Sequence, residues 1–332
     1  MSRFGTLYGP DVTFLSVDKC DLDDQSTTKN CDIIVIGAPY DGGTSYRSGT
    51  RFGPQALRMT DYIPHDRLRP HLALGVDPLQ DLVIKDAGDV CTPPTDIMIS
   101  LDAVTESIEM ITKADAIPII LGGDHSITYA DVRGLTAKYG KGRIAVIHFD
   151  AHPDTADLEL GQLHGHGQWV RRLIDEEITR GDRFIQMGIR GYWPGSDVLK
   201  WMSDLGMRSY EMTEIDSRGL DTCIKEAIEA VSKDTDGIFI SVDIDVCDPA
   251  YAPGTGTPEP GGLTSRQLLN SIRNICMTAP VVGLDLVEMC PAYDHADITA
   301  LLGNRVILEA LSGIAAKRNG SRSPDAPLLQ NR

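Results

Sequence analysis

One apolar run ends in an unusual way. Ile144-Ala145-Val146-Ile147 leads without a break into His148-Phe149-Asp150-Ala151-His152-Pro153-Asp154. The run is short and rich in β-branched residues, so it reads as a buried strand. Alternate residues of a strand point to the same side. Asp150, His152 and Asp154 can therefore converge from one strand end. Two carboxylates and an imidazole repel or desolvate one another unless positive charge sits between them. The pattern fits a metal site. The plainer alternative is a polar loop that happens to contain acids, and the rest of the chain has to decide.

The surrounding sequence repeats the theme of short apolar run, turn, helix. Strands are expected at Asp32 to Gly37, Leu82 to Lys85, Ile117 to Leu121, Ile144 to Phe149, Phe184 to Ile189, Gly206 to Tyr210, Gly237 to Asp243 and Val281 to Val287. Helical patterns fall between them. They run from Asp96 to Lys113 with Thr95 as cap, up to Lys138, and at Gln168 to Asp175, Leu220 to Val231, Ser265 to Ile275 and His295 to Ala316. Such alternation implies an α/β fold with a mainly parallel sheet covered on both faces. Residues 1–30 read as a polar, irregular arm, 31–317 as one domain, and the Asn/Gly/Ser/Pro segment from Arg318 to Arg332 as a mobile tail.

Charge and cysteine usage narrow the function. Acidic residues outnumber basic ones, 48 to 31, for a formal charge of −17. That argues against a nucleic-acid binder, whose affinity rests on basic patches. The seven cysteines are odd in number, and none are spaced C-x-x-C, so neither a disulfide framework nor a zinc ribbon is indicated. No signal-peptide core or membrane-length apolar run is expected, which points to the cytoplasm. The loop Ala38 to Gly53 is rich in glycine but lacks G-x-G-x-x-G and G-K-[ST], which argues against a nucleotide cradle. Pro54 is placed to begin a helix.

Three strand ends carry the chemistry: Gly122-Gly123-Asp124-His125-Ser126, Asp150-x-His152-x-Asp154, and Ser241-Val242-Asp243-Ile244-Asp245. In an open α/β sheet, ligands bind at the carboxyl ends of strands. Each group taken singly could be a helix cap, with Asp124 or Ser126 capping the next helix. Burying all three groups without a counter-ion is too costly for that explanation. The candidate ligands are His125, Asp150, His152, Asp154, Asp243 and Asp245. This set exceeds what one ion needs and suits two divalent ions sharing carboxylates. Oxygen-rich ligation favours Mn²⁺ over Zn²⁺ and tolerates Ni²⁺.

Gly122-Gly-Asp-His-Ser126, Asp150-Ala-His-Pro-Asp154 and Ser241-Val-Asp-Ile-Asp-Val-Cys-Asp-Pro249 resemble the three signatures of the ureohydrolase (arginase/agmatinase) family. The segments Ala252 to Gly262, Gly43 to Gly49 and Gly188 to Gly191 look like its agmatinase branch. The resemblance spans about Ile33 to Ala316 and implies an arginase-like three-layer αβα sandwich. It also implies a binuclear manganese centre that hydrolyses a guanidino group to urea, in a homo-trimer or homo-hexamer. By motif match, His125, Asp150, Asp154 and Asp243 hold one ion. His152, Asp150, Asp243 and Asp245 hold the other, so that Asp150 and Asp243 bridge. Glu288 would engage the guanidinium, Asp245 would relay a proton, and His166 would shuttle one to the leaving amine. His164 also precedes a glycine, so the shuttle assignment can slip by two residues.

The chain departs from the agmatinase pattern at Gln168-Trp169-Val170. Trp169 there either stacks on a flat cation or is a helix residue packed in the core. Tyr192 and Trp193 are further substrate-binding candidates. Tyr40-Asp41 and Tyr46-Arg47 either rim the pocket or face solvent. The substrate is expected to be an agmatine-like compound, a guanidino acid, or a small guanidine or biguanide. Two other readings keep the fold: formiminoglutamate hydrolysis, and a non-catalytic subunit of a hetero-oligomer.

Overall fold

A computed structural model of the chain describes residues 4–321. Its strands are β1 (Phe4–Gly5), β2 (Asp18–Lys19), β3 (Ile33–Ala38), β4 (Ile84–Val90), β5 (Ile117–Gly122), β6 (Ile144–Phe149), β7 (Phe184–Ile189), β8 (Arg208–Glu211), β9 (Gly237–Asp243) and β10 (Val281–Val287). They form one sheet in the order β1-β4-β3-β5-β10-β9-β6-β7-β8, with β2 also paired to β4. Only the β1–β4 pairing is antiparallel. The central strands are buried along their whole length, as expected for near-continuous apolar runs in a parallel sheet.

Period-two alternation splits each central strand between two cores. Ala145, Ile147 and Phe149 of β6 join one hydrophobic cluster, whereas Ile144 and Val146 join the other. Helices Leu220–Val231, Ser265–Thr278 and Ile298–Asn319 cover the first face. Helices Ile97–Lys113, Ile127–Tyr139 and Trp169–Asp175 cover the second. The result is the expected α/β sandwich of three layers. Pro54 stands in the first turn of the helix Gly53–Met59. The helix Ile298–Asn319 is long and apolar enough to cross a membrane, contrary to the expectation of no such run, but 67% of its apolar window is buried inside the fold. All seven cysteines are free.

The boundaries differ from the sequence expectation where buried charges or tertiary contacts intervene. Strand β4 extends to Val90 although Lys85, Asp86 and Asp89 interrupt its apolar run. Asp86 and Asp89 are buried because Arg58 reaches both: Nε to Asp86 Oδ2 at 2.9 Å, Nη2 to Asp86 Oδ1 at 3.0 Å and Nη1 to Asp89 Oδ1 at 2.5 Å. Asp86 Oδ2 also accepts the Phe14 N–H at 2.7 Å. This pins part of the N-terminal segment, so it is less of a free arm than expected. Phe14 and Leu15 are buried, and β1 and β2 extend the sheet edge. Asp96, not Thr95, caps the next helix, accepting the Ile99 N–H at 3.1 Å. The last helix runs through Arg318 to Asn319, past the expected start of the tail, and the rest of that tail from residue 322 lies outside the described residues. Helices Ser196–Asp204 and Met212–Arg218 have no counterpart among the expected elements.

The Arg58 network predicts a large stability effect. Replacing Arg58 by Ala leaves Asp86 and Asp89 buried without a counter-charge and should cost about 3–5 kcal/mol. Urea unfolding of the variant checks this, and a loss within about 0.5 kcal/mol, the usual range for surface substitutions, would contradict it.

Candidate metal centre

The sheet order places β5, β10, β9 and β6 side by side at its centre. The segments leaving their carboxyl ends carry His125, Glu288, Asp243 with Asp245, and Asp150 with His152 and Asp154. Residues more than a hundred positions apart in the chain therefore meet at one edge. His125 Nδ1 lies 3.1 Å from Asp150 Oδ2, 3.1 Å from Asp154 Oδ2 and 3.2 Å from Asp243 Oδ2. His152 Nδ1 lies 3.2 Å from Asp245 Oδ2 and 3.4 Å from Asp150 Oδ1. The two oxygens of Asp150 thus face two different imidazoles. Donor atoms of Asp150, His152 and Asp245 fall within 4.8 Å of one another, as do those of His125, His148, Asp150 and Asp154. Asp243 directs Oδ2 to His125, but its Oδ1 accepts the Asp245 N–H at 2.8 Å. A carboxylate oxygen has two lone pairs, so this bond leaves Asp243 able to serve two cations.

The donor set fits a pair of divalent cations. Asp150, Asp243 and Asp245 are at most 3% exposed, and four carboxylates at this density need positive charge among them. The protonation tendencies show the same strain. Burial and the neighbouring Asp245 and Asp150 push the Asp243 carboxyl well above its ordinary range. Burial and Asp150 raise Asp154. Burial opposes a charge on His125, but Asp150, Asp154 and Asp243 outweigh it and raise its pKa strongly. His152 is pushed up to about 12, with burial again outweighed by Asp245 and Asp150.

The surrounding residues orient the imidazoles. His125 Nε2 is 2.9 Å from Ser241 Oγ, which donates to Asp285 Oδ1 at 2.8 Å, while Thr128 Oγ1 donates to Asp285 Oδ2 at 2.7 Å. Because the Ser241 proton goes to Asp285, His125 must donate from Nε2. In the neutral imidazole that metal binding requires, the lone pair is then on Nδ1, facing the acids. His148 Nε2 bonds Asp150 Oδ2 at 2.7 Å, and Gln186 Nε2 approaches His148 Nδ1 at 3.3 Å. None of Ser241, Asp285, Thr128, His148 and Gln186 has a role assigned on sequence grounds. His148 and Ser241 carry a signal, since they stand two residues before Asp150 and Asp243 on the same strand faces.

Beside this cluster, Glu288 Oε1 accepts the His125 N–H at 2.9 Å and lies 3.0 Å from His166 Nδ1. Glu288 Oε2 is buried without a partner. Glu288 and Asp154 both adopt left-handed backbone conformations, with φ of 62° and 51°. Such strain is tolerated where the surroundings enforce it, and here the Glu288 N–H is tied to Gly123 O at 2.9 Å. A side chain at Gly123 would strike the Tyr40 carbonyl, so this crossing of loops needs glycine. His166 Nε2 lies 2.6 Å from Ser45 Oγ, and Gly43 N donates to Asp124 Oδ2 at 2.7 Å. The glycine-rich loop is thereby folded onto the site. His164 turns away, edge-on to Tyr129 at 5.2 Å.

A cavity of about 830 Å³ opens beside the fully buried Glu288 and is lined by His152, Asp154, His166, Asp243, Tyr46, Arg47 and Trp193, among others. Four candidate pocket residues lie elsewhere. Trp169 is 1% exposed and stacks on His125 at 4.7 Å, with Nε1 donating to Asp154 Oδ2 at 2.8 Å. It supports the ligands from behind and does not touch the cavity. Tyr192 is fully exposed and outside the lining. Tyr40 and Asp41 are buried, the latter against Arg51.

Comparison with known proteins agrees with this geometry. Residues 31–313 match the model of the Arginase family. The chain belongs to the arginase (ureohydrolase) family. It is 40% identical to the proclavaminate amidinohydrolase of Streptomyces clavuligerus, over 84% of this chain and 87% of that protein. It is 38% identical to the mitochondrial agmatinase of Gallus gallus, over 86% and 82% of the two chains. Among solved structures it resembles a hypothetical agmatinase from Burkholderia thailandensis, with a TM-score of 0.82, 30% identity and 96% of each chain covered. As a member of this family the chain is an amidinohydrolase with agmatinase-like relatives, and the family depends on two divalent metal ions, acts on small guanidino compounds and is typically oligomeric.

The position of Trp169 yields a prediction. Trp169→Phe keeps the ring against His125 but removes the N–H that holds Asp154, and should weaken metal binding about 10–100-fold. Metal titration of the stripped variant measures this, and unchanged affinity would deny Trp169 that supporting role.

Proposed function

We propose that this chain hydrolyses the guanidino group of a small molecule to urea and an amine, using two divalent ions held between β5, β9 and β6. The observation that carries the reading is Asp150, whose two oxygens face His125 on one side and His152 on the other. His125, Asp150, Asp154 and Asp243 would hold one ion. His152, Asp150, Asp243 and Asp245 would hold the other. The oxygen-rich set favours Mn²⁺, with Ni²⁺ as the alternative. Bound there, the ions supply an activated water at neutral pH and neutralise developing charge.

The protein's own groups divide the remaining work. The free Oε2 of Glu288 is suited to accept hydrogen bonds from a planar guanidinium. Asp245, whose Oδ2 is also 3.2 Å from Thr257 Oγ1, is placed to accept a proton as the C–N bond is attacked. His166 donates from Nδ1 to Glu288, and its Nε2 accepts the Ser45 N–H at 3.1 Å; as an imidazolium it gives up that bond and donates from Nε2 to Ser45 Oγ instead. Burial disfavours that charge, but Glu288 outweighs burial and raises the pKa to about 9. His166 therefore holds a proton at neutral pH and can deliver it to the leaving amine nitrogen.

The substrate class comprises agmatine-like compounds, guanidino acids and small guanidines or biguanides. The cavity lining offers tails both charges, from Arg47 and from Glu159 and Glu259. Tyr46 and Trp193 are the aromatic side chains available to the tail. The assembly we propose is a homo-trimer or homo-hexamer, with a hetero-oligomer as the alternative, and the free cysteines support a cytoplasmic location.

Urea release from a panel of these compounds, with Mn²⁺ or Ni²⁺ loaded, tests the reading. At least one member should yield urea. Formamide from formiminoglutamate, or no product from a fully metal-loaded protein, would overturn it. Arg47→Ala should raise KM for acid-tailed substrates, and Glu259→Ala for amine-tailed ones. A proton held by His166 is lost as pH rises, so kcat should fall through about pH 9. His166→Asn should lower kcat about 10²–10⁴-fold and flatten that limb. A variant with wild-type rates and pH profile would remove His166 from the mechanism.

A further inference from the structure

A second cavity lies away from the metal centre, between the segment 63–79 and the helices Ser265–Thr278 and Ile298–Asn319. Its volume is about 450 Å³, within the range of small-molecule sites. Ile63, Leu72, Leu79 and Leu308 give it apolar walls. Arg67, Arg69, Arg266 and Arg273 also line it, against only two acids, Asp77 and Glu309. In a chain of formal charge −17, such a concentration of guanidinium groups stands out.

The internal acids are already engaged. Asp77 accepts the backbone N–H groups of Arg69 and Leu79, each at 3.1 Å. Glu309 pairs with His71 at 3.1 Å and Arg273 at 3.6 Å. Arg69 pairs with Asp66 at 3.1 Å. Arg67 and Arg266 have no ion-pair partner among the described residues. An independent sign is Ser312, which lines the cavity, is 1% exposed, and has a buried Oγ with no hydrogen-bond partner. A helical serine ordinarily bonds a carbonyl one turn back or faces water. A buried hydroxyl left unsatisfied costs free energy that a bound acceptor would recover.

We infer that this cavity is a binding site for a small organic anion, a carboxylate with an apolar body. The guanidinium groups of Arg67 and Arg266 pair with the carboxylate, Ser312 Oγ donates to it, and the leucine-rich walls cover the hydrocarbon. Two guanidiniums and a hydroxyl in one cavity with leucine side chains fit an amphiphilic carboxylate better than inorganic phosphate. The ligand contacts the helix Ile298–Asn319 at Leu308 and Ser312. The same helix, at its first turn, holds the loop beside Glu288: Thr299 Oγ1 accepts the Gly254 N–H at 2.8 Å, and Gly254 O accepts the Cys290 N–H at 2.8 Å. Occupancy stabilises the folded state by linkage.

Isothermal titration of the metal-loaded full chain with phthalate, benzoate and inorganic phosphate tests the proposal. Phthalate or benzoate should bind saturably and raise Tm. Arg67→Ala and Arg266→Ala should each weaken binding about tenfold, and Ser312→Ala by less. The double arginine variant, confirmed folded by circular dichroism, should show no binding. Equal binding in the double variant would place the anion at the metal centre and overturn the proposal. Binding of phosphate alone, or no binding by any probe, would also overturn it. So would a double variant that changes sedimentation without any anion effect in the parent, which would assign the cavity to a second copy of the chain.

Discussion

Mutual repulsion among buried carboxylates organises this protein. Asp150, Asp154, Asp243 and Asp245 converge at one end of the sheet, three of them almost without solvent. Carboxylates crowded in this way are stable only around positive charge. Much of the nearby structure answers that requirement. His125 is locked by Ser241 and Asp285 with its lone pair toward the acids, His148 donates to Asp150, and Trp169 donates to Asp154. The supporting groups themselves come from the sheet strands and from the helices laid across them, so the rigidity of the site is the rigidity of the core.

The second constraint is the position of β10 between β5 and β9. It brings Glu288 next to the backbone of His125 and within reach of His166 on a separate loop. The glycine-rich loop then closes over the same point through Ser45 and Gly43. The candidate metal ligands and the groups proposed to face the guanidinium therefore share one scaffold. Displacing Gly123 or the left-handed turn at Glu288 would disturb both.

Much of the site was legible because its ligands sit at strand ends, where period-two spacing and the end of an apolar run are local signals. Asp150, His152, Asp154, Asp243 and Asp245 are all visible in this way, and β9 and β10 match their apolar runs end to end. Legibility fails where a buried polar residue is satisfied from a distance. β4 reads too short in the sequence because Asp86 and Asp89 look like loop residues until Arg58 is seen beside them. Phe14 reads as part of a loose arm because its hydrogen bond to Asp86 spans 72 positions. Aromatic residues mislead for a related reason: Trp169 and Tyr192 look alike as pocket candidates, yet one is buried behind the ligands and the other is in solvent.

By itself, the sequence determined the layered α/β architecture, the family resemblance and the ligand types, since these depend on patterns only a few residues long. Tertiary structure decided which side chains meet. It joined the two halves of the ligand set through the oxygens of Asp150, and it set His166 rather than His164 against Glu288. It moved Trp169 from the pocket to the support of Asp154, and it gathered Arg67, Arg266 and Ser312 around a second cavity. Each of these depends on strand order and helix packing, through contacts between segments far apart in the chain, and spacing along a sequence carries no record of such distances.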